Sequence, residues 1–247
     1  MLNKCPPSTD ALKAEQAGTP ASRASAALRA VREACEARSV AILAPARQLS
    51  ASPQPTHAGD ALEPPSWCLR EVRGRVVELY AQPGSASLTA AMALVWEAQL
   101  SSEPVVWVSA TATCFYPEDA ARFGVDLSAL AMVRAPQVFS ALRSAERLLR
   151  SGAFGVVVLD LGANPRVPNA LVGKLVKLAQ RHGATVLCLT SGRRGGSLGS
   201  LVSLRVTTRR ARVRGGVFRC EVRSEKDKRR GPGWQASGEY RGPSGLR

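Results

Sequence analysis

The sequence predicts an α/β fold in which helices cover both faces of a mainly parallel sheet. Apolar strands alternate with helical patterns between Arg70 and Leu189. The strands are near-continuous runs of Val and Leu, which is typical of parallel strands buried on both faces. The predicted strands are Val76–Tyr80, Val105–Ser109, Leu130–Val133, Val156–Asp160 and Thr185–Leu189. The predicted helices are Ser87–Leu100, Pro117–Phe123, Val138–Arg150 and Asn169–Arg181.

The pattern changes after Leu189. A loop rich in Gly, Arg and Ser precedes two β-like runs, Val202–Thr208 and Gly216–Arg223, which predict antiparallel C-terminal strands. Residues 67–223 are therefore the predicted domain. Residues 224–247 combine Lys and Arg with Gly and Pro, a composition that buries no core. We expect a disordered basic C-terminal tail whose deletion leaves thermal stability nearly unchanged.

Residues 1–66 predict an N-terminal helical arm and a linker. Residues 1–19 and 48–66 are rich in Pro, Ser, Thr and Ala, whereas Ala21–Arg47 is rich in Ala and Arg, which favour helix. This helix either contacts a neighbouring domain or partner chain, or packs on its own domain. The first residues lack the apolar centre of a signal peptide, and no stretch has the length of a membrane span. We expect a cytoplasmic protein.

The charge of the chain is high and uneven. The 247 residues carry a formal net charge of +15, and Arg193–Arg247 contains 15 Lys and Arg against 4 Asp and Glu. This excess indicates a polyanion or an acidic protein as partner, or else a solvated surface that protects an edge strand from aggregation. The basic residues that we predict to contact DNA or a partner are Arg193, Arg194, Arg209, Arg210, Arg212, Arg214, Lys226, Lys228, Arg229 and Arg230.

The turn between the first strand and the first helix lies where a phosphate-binding loop belongs. Such a loop, G-x-x-x-x-G-K-[ST], uses glycine backbone to wrap phosphates, lysine to neutralise them and a hydroxyl to bind Mg²⁺. Here Ala81 and Ala86 occupy the glycine positions, and Gly84 is out of register. Ser87 replaces the lysine and Leu88 replaces the hydroxyl residue. The sequence predicts a site without ATP turnover, and we expect no cofactor and no metal.

One acidic residue of a nucleotide site is present. Val156–Asp160 has the form of a Walker B strand, in which apolar residues precede an acid that holds Mg²⁺ in ATPases. Asp160 is equally suited to cap the turn that follows. The order of the elements favours the first interpretation, because the strand follows the phosphate-loop-like turn in an alternating α/β pattern.

Three segments resemble RecA recombinases. Gly74–Tyr80 is similar to the strand that introduces the RecA phosphate loop, Phe123–Leu130 to the turn into its third strand, and Ser151–Asp160 to the entry into its Walker B strand. The resemblance extends from Arg70 to Arg230. The ImuA family of RecA-like accessory proteins resembles the chain more closely. That resemblance is carried by Leu148–Phe154, Asp160–Gly162 and the basic run Lys226–Gly233.

The resemblance implies a RecA-like core and shows what this chain lacks. The positions of the family's catalytic glutamate fall in Ser109–Thr111, and those of its glutamine switch fall in Thr190–Arg193, without either residue. No carboxylate remains there to activate water. The loop Ser191–Ser203 corresponds to the region with which RecA proteins engage single-stranded DNA.

The resemblance to ImuA implies a non-catalytic adaptor that responds to DNA damage through SOS-induced translesion synthesis and mutagenesis. Its expected partners are an ImuB-like inactive Y-family polymerase homologue and, through it, an error-prone replicative-type DNA polymerase. RecA and single-stranded DNA are further expected partners, which would associate the protein with the nucleoid. An ATP-dependent RecA-like DNA-binding ATPase and a SulA-like cell-division inhibitor remain the alternatives.

Overall fold

The computed structural model describes residues 26, 29, 42–43, 67–111, 115–192, 198–214 and 216–241. The strands are β1 (Ile42–Leu43), β2 (Val76–Ala81), β3 (Val105–Ser109), β4 (Leu130–Arg134), β5 (Val156–Ala163), β6 (Thr185–Ser191), β7 (Leu204–Arg212), β8 (Val217–Asp227) and β9 (Gln235–Arg241). The helices are α1 (Leu69–Val72), α2 (Ser87–Leu100), α3 (Pro117–Phe123), α4 (Val138–Arg150) and α5 (Asn169–His182). None of these helices, within the described ranges, is long and apolar enough to cross a membrane.

The strands form one sheet in the order β1-β4-β3-β5-β6-β2-β7-β8-β9. From β4 to β7 all neighbouring strands are parallel. Strand β1 is antiparallel to β4, β8 to β7, and β9 to β8. The predicted fold class, a mainly parallel sheet with antiparallel C-terminal strands, is confirmed.

Two apolar layers bury the two faces of the central sheet. Val157 and Leu159 of β5 pack with the layer formed by α4 and α5. Val156 and Val158 pack with the layer formed by α1, α2 and α3. Successive strand residues point to opposite faces, so a strand covered on both sides requires an unbroken apolar run.

All nine elements predicted between residues 67 and 192 are present, and four of them have the observed bounds. Helices α2, α3 and α4 and strand β3 begin and end where predicted. Strands β2, β4, β5 and β6 and helix α5 continue one to three residues further than predicted. The extra strand residues lie where ladder hydrogen bonds continue after the apolar run has stopped, and His182 extends α5 by one residue.

The prediction of one helix over Ala21–Arg47 is wrong at its end. Ala26 and Arg29 are helical, but Ile42–Leu43 forms β1. This short strand pairs with Met132 and Val133 at the open edge of β4. Pairing with an exposed sheet edge satisfies backbone groups of both strands, and this gain outweighs the helix preference of the surrounding Ala and Arg.

The prediction of a disordered tail is wrong for residues 224–241. Strand β8 continues to Asp227, and a turn leads into β9, which the sequence did not predict. The Asp227 carboxylate forms a buried ion pair with Arg75, at 2.5 Å. It also accepts hydrogen bonds from the Trp234 indole at 3.0 Å and from the Arg229 backbone at 2.8 Å. Deletion of this segment would therefore remove structure.

Candidate functional site at the carboxyl edge of the sheet

The carboxyl ends of the parallel strands meet at one edge of the sheet, here called the carboxyl edge. Ligands of open α/β folds bind at this edge. The turn from β2 to α2, residues 82–86, lies there together with the ends of β3, β5 and β6. The sequence placed its candidate nucleotide residues at these same ends.

The turn at residues 82–86 is joined to strand β7. The Ser85 backbone donates to the Gln82 carbonyl at 2.9 Å. The Arg210 backbone donates to the Gly84 carbonyl at 3.1 Å. Gly84 has a φ of +74°, the left-handed region that glycine adopts without strain. The turn is therefore fixed by its own chain on both sides.

A threonine of β7 caps the first turn of α2. Thr208 Oγ1 accepts a hydrogen bond from the Ala86 backbone at 3.0 Å. The same oxygen lies 3.0 Å from Ser87 Oγ, which lies 3.1 Å from Ser85 Oγ. Backbone N–H groups at this place are the donors with which helix N-termini bind phosphate. Here a side-chain hydroxyl of the protein itself occupies one of them.

The two residues at the lysine and hydroxyl positions point in different directions. Ser87 is buried, with 6% of its surface exposed, and belongs to the hydroxyl cluster with Thr208. Leu88 is 40% exposed and offers no oxygen to a metal ion. Ala86 is buried and Ala81 is half-buried. None of these side chains carries a positive charge.

Asp160 ends its apolar run in a buried position, where it is 2% exposed. Its carboxylate accepts a hydrogen bond from Thr111 Oγ1 at 2.7 Å and a longer one from Ser109 Oγ at 3.4 Å. Strand β5 then shifts register between Asp160 and Gly162. The hydroxyls come from the segment in which the resemblance places a catalytic glutamate, so this segment contacts the remaining acid.

A second buried charge network lies on the face of β2 that points away from α2. Glu78 is fully buried and pairs with Arg205 Nε at 2.8 Å. It also accepts a hydrogen bond from Thr190 Oγ1 at 3.0 Å. Burial lowers the pKa of nearby Lys226, as do the charges of Lys228 and Arg205, whereas Glu78 opposes the shift. Arg205 therefore serves the fold, and Thr190, within the predicted switch segment, contacts Glu78.

The predicted basic cluster in the β8–β9 turn binds the protein's own chain. Lys226 Nζ donates to the Ser200 carbonyl at 2.7 Å, and Lys228 Nζ donates to the Leu201 carbonyl at 3.3 Å. Arg229 donates to the Arg73 carbonyl at 3.1 Å, and Arg230 pairs with Glu71 at 2.7 Å. The structure thus gives these four cations contacts that hold the turn in place.

The remaining predicted contact residues divide into two groups. Arg209, Arg210, Arg212 and Arg214 are exposed at the end of β7 and in the following turn. Arg193 and Arg194 lie outside the described residues. The structure therefore brings the first group together and separates it from the cations of the β8–β9 turn.

The sequence did not indicate the contacts that close the site. Thr208 lies 122 positions from Ala86, and Asp227 lies 152 positions from Arg75. One signal was present for Thr208. It follows Leu204 and Val206 at the spacing of one strand face, and both of those residues are buried.

Residues 70–186 match the family of the RecA N-terminal domain. The RecA protein of Kineococcus radiotolerans is 36% identical over 88 residues, which cover 36% of this chain and 25% of that protein. The RecA protein of Chlorobium limicola is 39% identical over 88 residues, with the same coverage of each chain. The match thus spans about a quarter of the length of these relatives.

Residues 70–186 are thus similar to RecA proteins. Among solved structures, a KaiC-like protein of Pyrococcus horikoshii OT3 aligns with a TM-score of 0.48 and 17% identity. That alignment covers 69% of this chain and 91% of the archaeal protein. The sequence matches support the predicted membership of the RecA-like superfamily, and the parallel core of this RecA-like domain contains the matched residues.

Proposed function

We propose that this protein is a non-catalytic adaptor built on a RecA-like domain. The observation that carries the proposal is the cap on α2. Thr208 Oγ1 holds the Ala86 backbone N–H and lies against Ser87 Oγ, both at 3.0 Å. On this view, residues 82–86 are a degenerate phosphate-binding loop.

The energetics of phosphate binding support this view. A phosphate that bound the Ala86 N–H would have to displace Thr208 from a buried hydrogen-bonded position, since that residue is only 5% exposed. In return it would gain no lysine, because the corresponding residue is Ser87. Each charge-assisted hydrogen bond that is missing forgoes about 1.5–3 kcal/mol. Few contacts therefore favour ATP binding, and the hydrogen bond between Thr208 and Ala86 opposes it.

The site also lacks a group that would activate water. Asp160 is the buried acid at the carboxyl edge, and Thr111 and Ser109 donate to its carboxylate. A general base must reach the attacking water. An acid that accepts hydrogen bonds from neighbouring hydroxyls, next to a helix start without lysine, favours a structural role for Asp160.

The biological role follows from the resemblance to ImuA, and the proposal rests on it. The protein would act in SOS-induced translesion synthesis and mutagenesis by binding an ImuB-like inactive Y-family polymerase homologue. Through that partner it would recruit an error-prone replicative-type DNA polymerase, with RecA as a further partner. An adaptor requires a stable fold and accessible surfaces but no nucleotide turnover, which agrees with the closed site.

Nucleotide binding tests the first half of the proposal. Isothermal titration of the full chain with ATP and Mg²⁺ should show no binding in the micromolar range, and a coupled assay should show no hydrolysis above the protein-free rate. A RecA protein assayed in parallel is the positive control. Micromolar affinity together with turnover that Asp160→Asn abolishes would establish the ATPase alternative instead.

Partner capture tests the second half. The full chain, immobilised and mixed with equal amounts of the purified inactive polymerase homologue and the tubulin-like division protein, should retain the polymerase homologue. The result should be the same with and without ATP. Retention of the division protein instead would favour the SulA-like alternative and overturn the adaptor role.

A further inference from the structure

Strand β7 extends past the carboxyl edge of the sheet. Its parallel partner β2 pairs with it only as far as Tyr80 and Thr207. Residues 208–212 continue beyond that pair, alongside β8. At about 3.3 Å per residue, this extension is about 16 Å long. We call residues 208–214 and 216–219 the hairpin tip.

The hairpin tip concentrates positive charge. Its five arginines, Arg209, Arg210, Arg212, Arg214 and Arg219, are all exposed. Arg219 pairs with Glu239 at 2.9 Å, and the Arg210 guanidinium lies 4.7 Å from the centre of the Phe218 ring. The other three make no ion pair with any described residue. The cations of the β8–β9 turn, by contrast, are engaged by backbone carbonyls and Glu71.

The charges surround the strand edge instead of covering one flat face. Adjacent strand residues point to opposite faces, so Arg209 lies on one face while Arg210 and Arg212 lie on the face of Thr208. Arg214 follows in the turn. From Arg209 to Arg212 the strand rises about 10 Å, which is as long as about three phosphates of one strand at 3.4 Å spacing.

The composition of the hairpin tip favours nucleic acid over a protein partner. Among the described residues of the hairpin tip, one large apolar side chain is exposed, that of Val213, at 37%. Stable protein interfaces need an apolar centre, whereas nucleic-acid interfaces are polar and strongly basic. Guanidinium groups also match phosphate in two parallel hydrogen bonds. Arginines around a polar edge fit a sugar-phosphate backbone.

We propose that the hairpin tip is a nucleic-acid contact surface on which Arg209, Arg212 and Arg214 bind backbone phosphates. The inference deepens the proposed function. It rests on that function in one respect, namely that DNA binding requires no bound nucleotide. The contact is independent of base sequence, because these side chains would meet phosphates and not base edges. Arg210 remains stacked on Phe218 and shapes the strand.

The test compares two charge-matched variants of the full chain. One carries Arg209→Gln, Arg212→Gln and Arg214→Gln, and the control carries Arg147→Gln, Lys177→Gln and Arg181→Gln on α4 and α5. All six residues are exposed. Fluorescence anisotropy with a labelled 20-mer of thymidine at 50–200 mM NaCl gives affinity and its salt dependence.

The hairpin variant should bind at least tenfold more weakly at low salt, and its log–log salt slope should fall by about 2, at about 0.7 per phosphate contact. The control variant should keep the wild-type slope. Replacement of the same three arginines by lysine should restore most of the slope, which separates charge from folding, and melting curves should coincide.

Three outcomes would overturn the inference. The first is that the wild type binds no DNA at 50 mM salt. The second is that both triple variants lose the same DNA affinity. The third is that the wild type binds poly-glutamate as tightly as DNA, which would indicate an acidic protein partner. DNA binding that appears only with ATP and Mg²⁺ would contradict the non-catalytic proposal, while the two triple variants would still decide the role of the hairpin tip.

Discussion

The parallel core and the C-terminal strands β8 and β9 differ in what stabilises them. Both faces of β5 are covered by helices, and every residue from Val156 to Leu161 is buried. Strand β8 buries Cys220 and Val222 against the α2 layer, while its other face exposes Arg219 and Arg223. The core thus depends on many apolar contacts, and the C-terminal strands depend on one covered face and a few polar contacts.

This difference ranks the residues by their expected effect. Loss of one apolar side chain from the core removes a fraction of a large sum. Loss of a polar contact that holds the C-terminal strands leaves a buried donor or charge without its partner, and such a group costs more than the contact contributed. The following variants test the polar contacts, from the largest expected effect to the smallest.

Breaking the buried ion pair should have the largest effect. Arg75 pairs with Asp227 and also donates to the Ser203 carbonyl at 2.7 Å. Arg75→Ala should lower the free energy of unfolding by about 3–5 kcal/mol, because it leaves a buried carboxylate unpaired. Urea unfolding followed by circular dichroism measures the loss. Arg219→Ala is the control, since its ion pair with Glu239 is half-exposed and such pairs contribute at most about 1 kcal/mol. Similar losses in both variants would contradict the comparison.

Removing the cap on α2 should have an intermediate effect. Thr208→Val keeps the side-chain volume but leaves the buried Ala86 backbone N–H without its acceptor. The free energy of unfolding should fall by about 1–3 kcal/mol. The neighbouring Thr207 lies half-exposed on the other face, so Thr207→Val should change it by less than about 0.5 kcal/mol. Equal values for the two threonines, again from urea unfolding, would mean that the hydroxyl cluster does not stabilise the turn.

The smallest expected effect is the change with pH in the stability that the Asp227 carboxylate contributes. Burial raises the pKa of the Asp227 carboxyl, but hydrogen bonds from Arg75, the Arg229 backbone and Trp234 outweigh it and lower the pKa overall. A lowered folded pKa contributes stability above the unfolded value, about 3.9, which is lost as the pH falls through the folded pKa.

Asp227→Asn removes that contribution, so the stability difference between wild type and variant should shrink as the pH falls below about 4. Urea unfolding at a series of pH values from neutral to acidic measures this difference. Glu239→Gln, which removes an exposed carboxylate, is the control. A difference that stays constant with pH would mean that the Asp227 charge does not stabilise the fold.

The sequence predicted the core well because one physical rule governs it. Strand β3 is buried at all five positions, and its apolar run ends where its pairing ends. Strand β9 obeys no such rule, since its residues alternate between exposed and half-buried. Pairing with β8 and the stacking of Tyr240 on Phe123 at 5.3 Å hold it, and both contacts depend on the completed fold.

The candidate site was predictable in position but not in its contacts. The apolar run before Asp160 and the strand-to-helix turn at residues 82–86 identified the carboxyl edge. The partners of these residues come from distant segments, as Thr208 does for Ala86 and Thr111 does for Asp160. Comparison with a motif shows which residues are missing from a site, but it does not show which distant residue of the chain contacts the positions that remain.

The Thr208 cap has a consequence for timing. Proteins that exchange bound nucleotides can use the exchange as a clock, because binding and release of a partner follow the bound state. A helix start at which the protein's own hydroxyl holds the Ala86 N–H offers no such clock if it binds no nucleotide. If the adaptor proposal is correct, the lifetime of each complex is set by mass action alone. Synthesis and degradation of the protein would then decide when its complexes form and when they disappear.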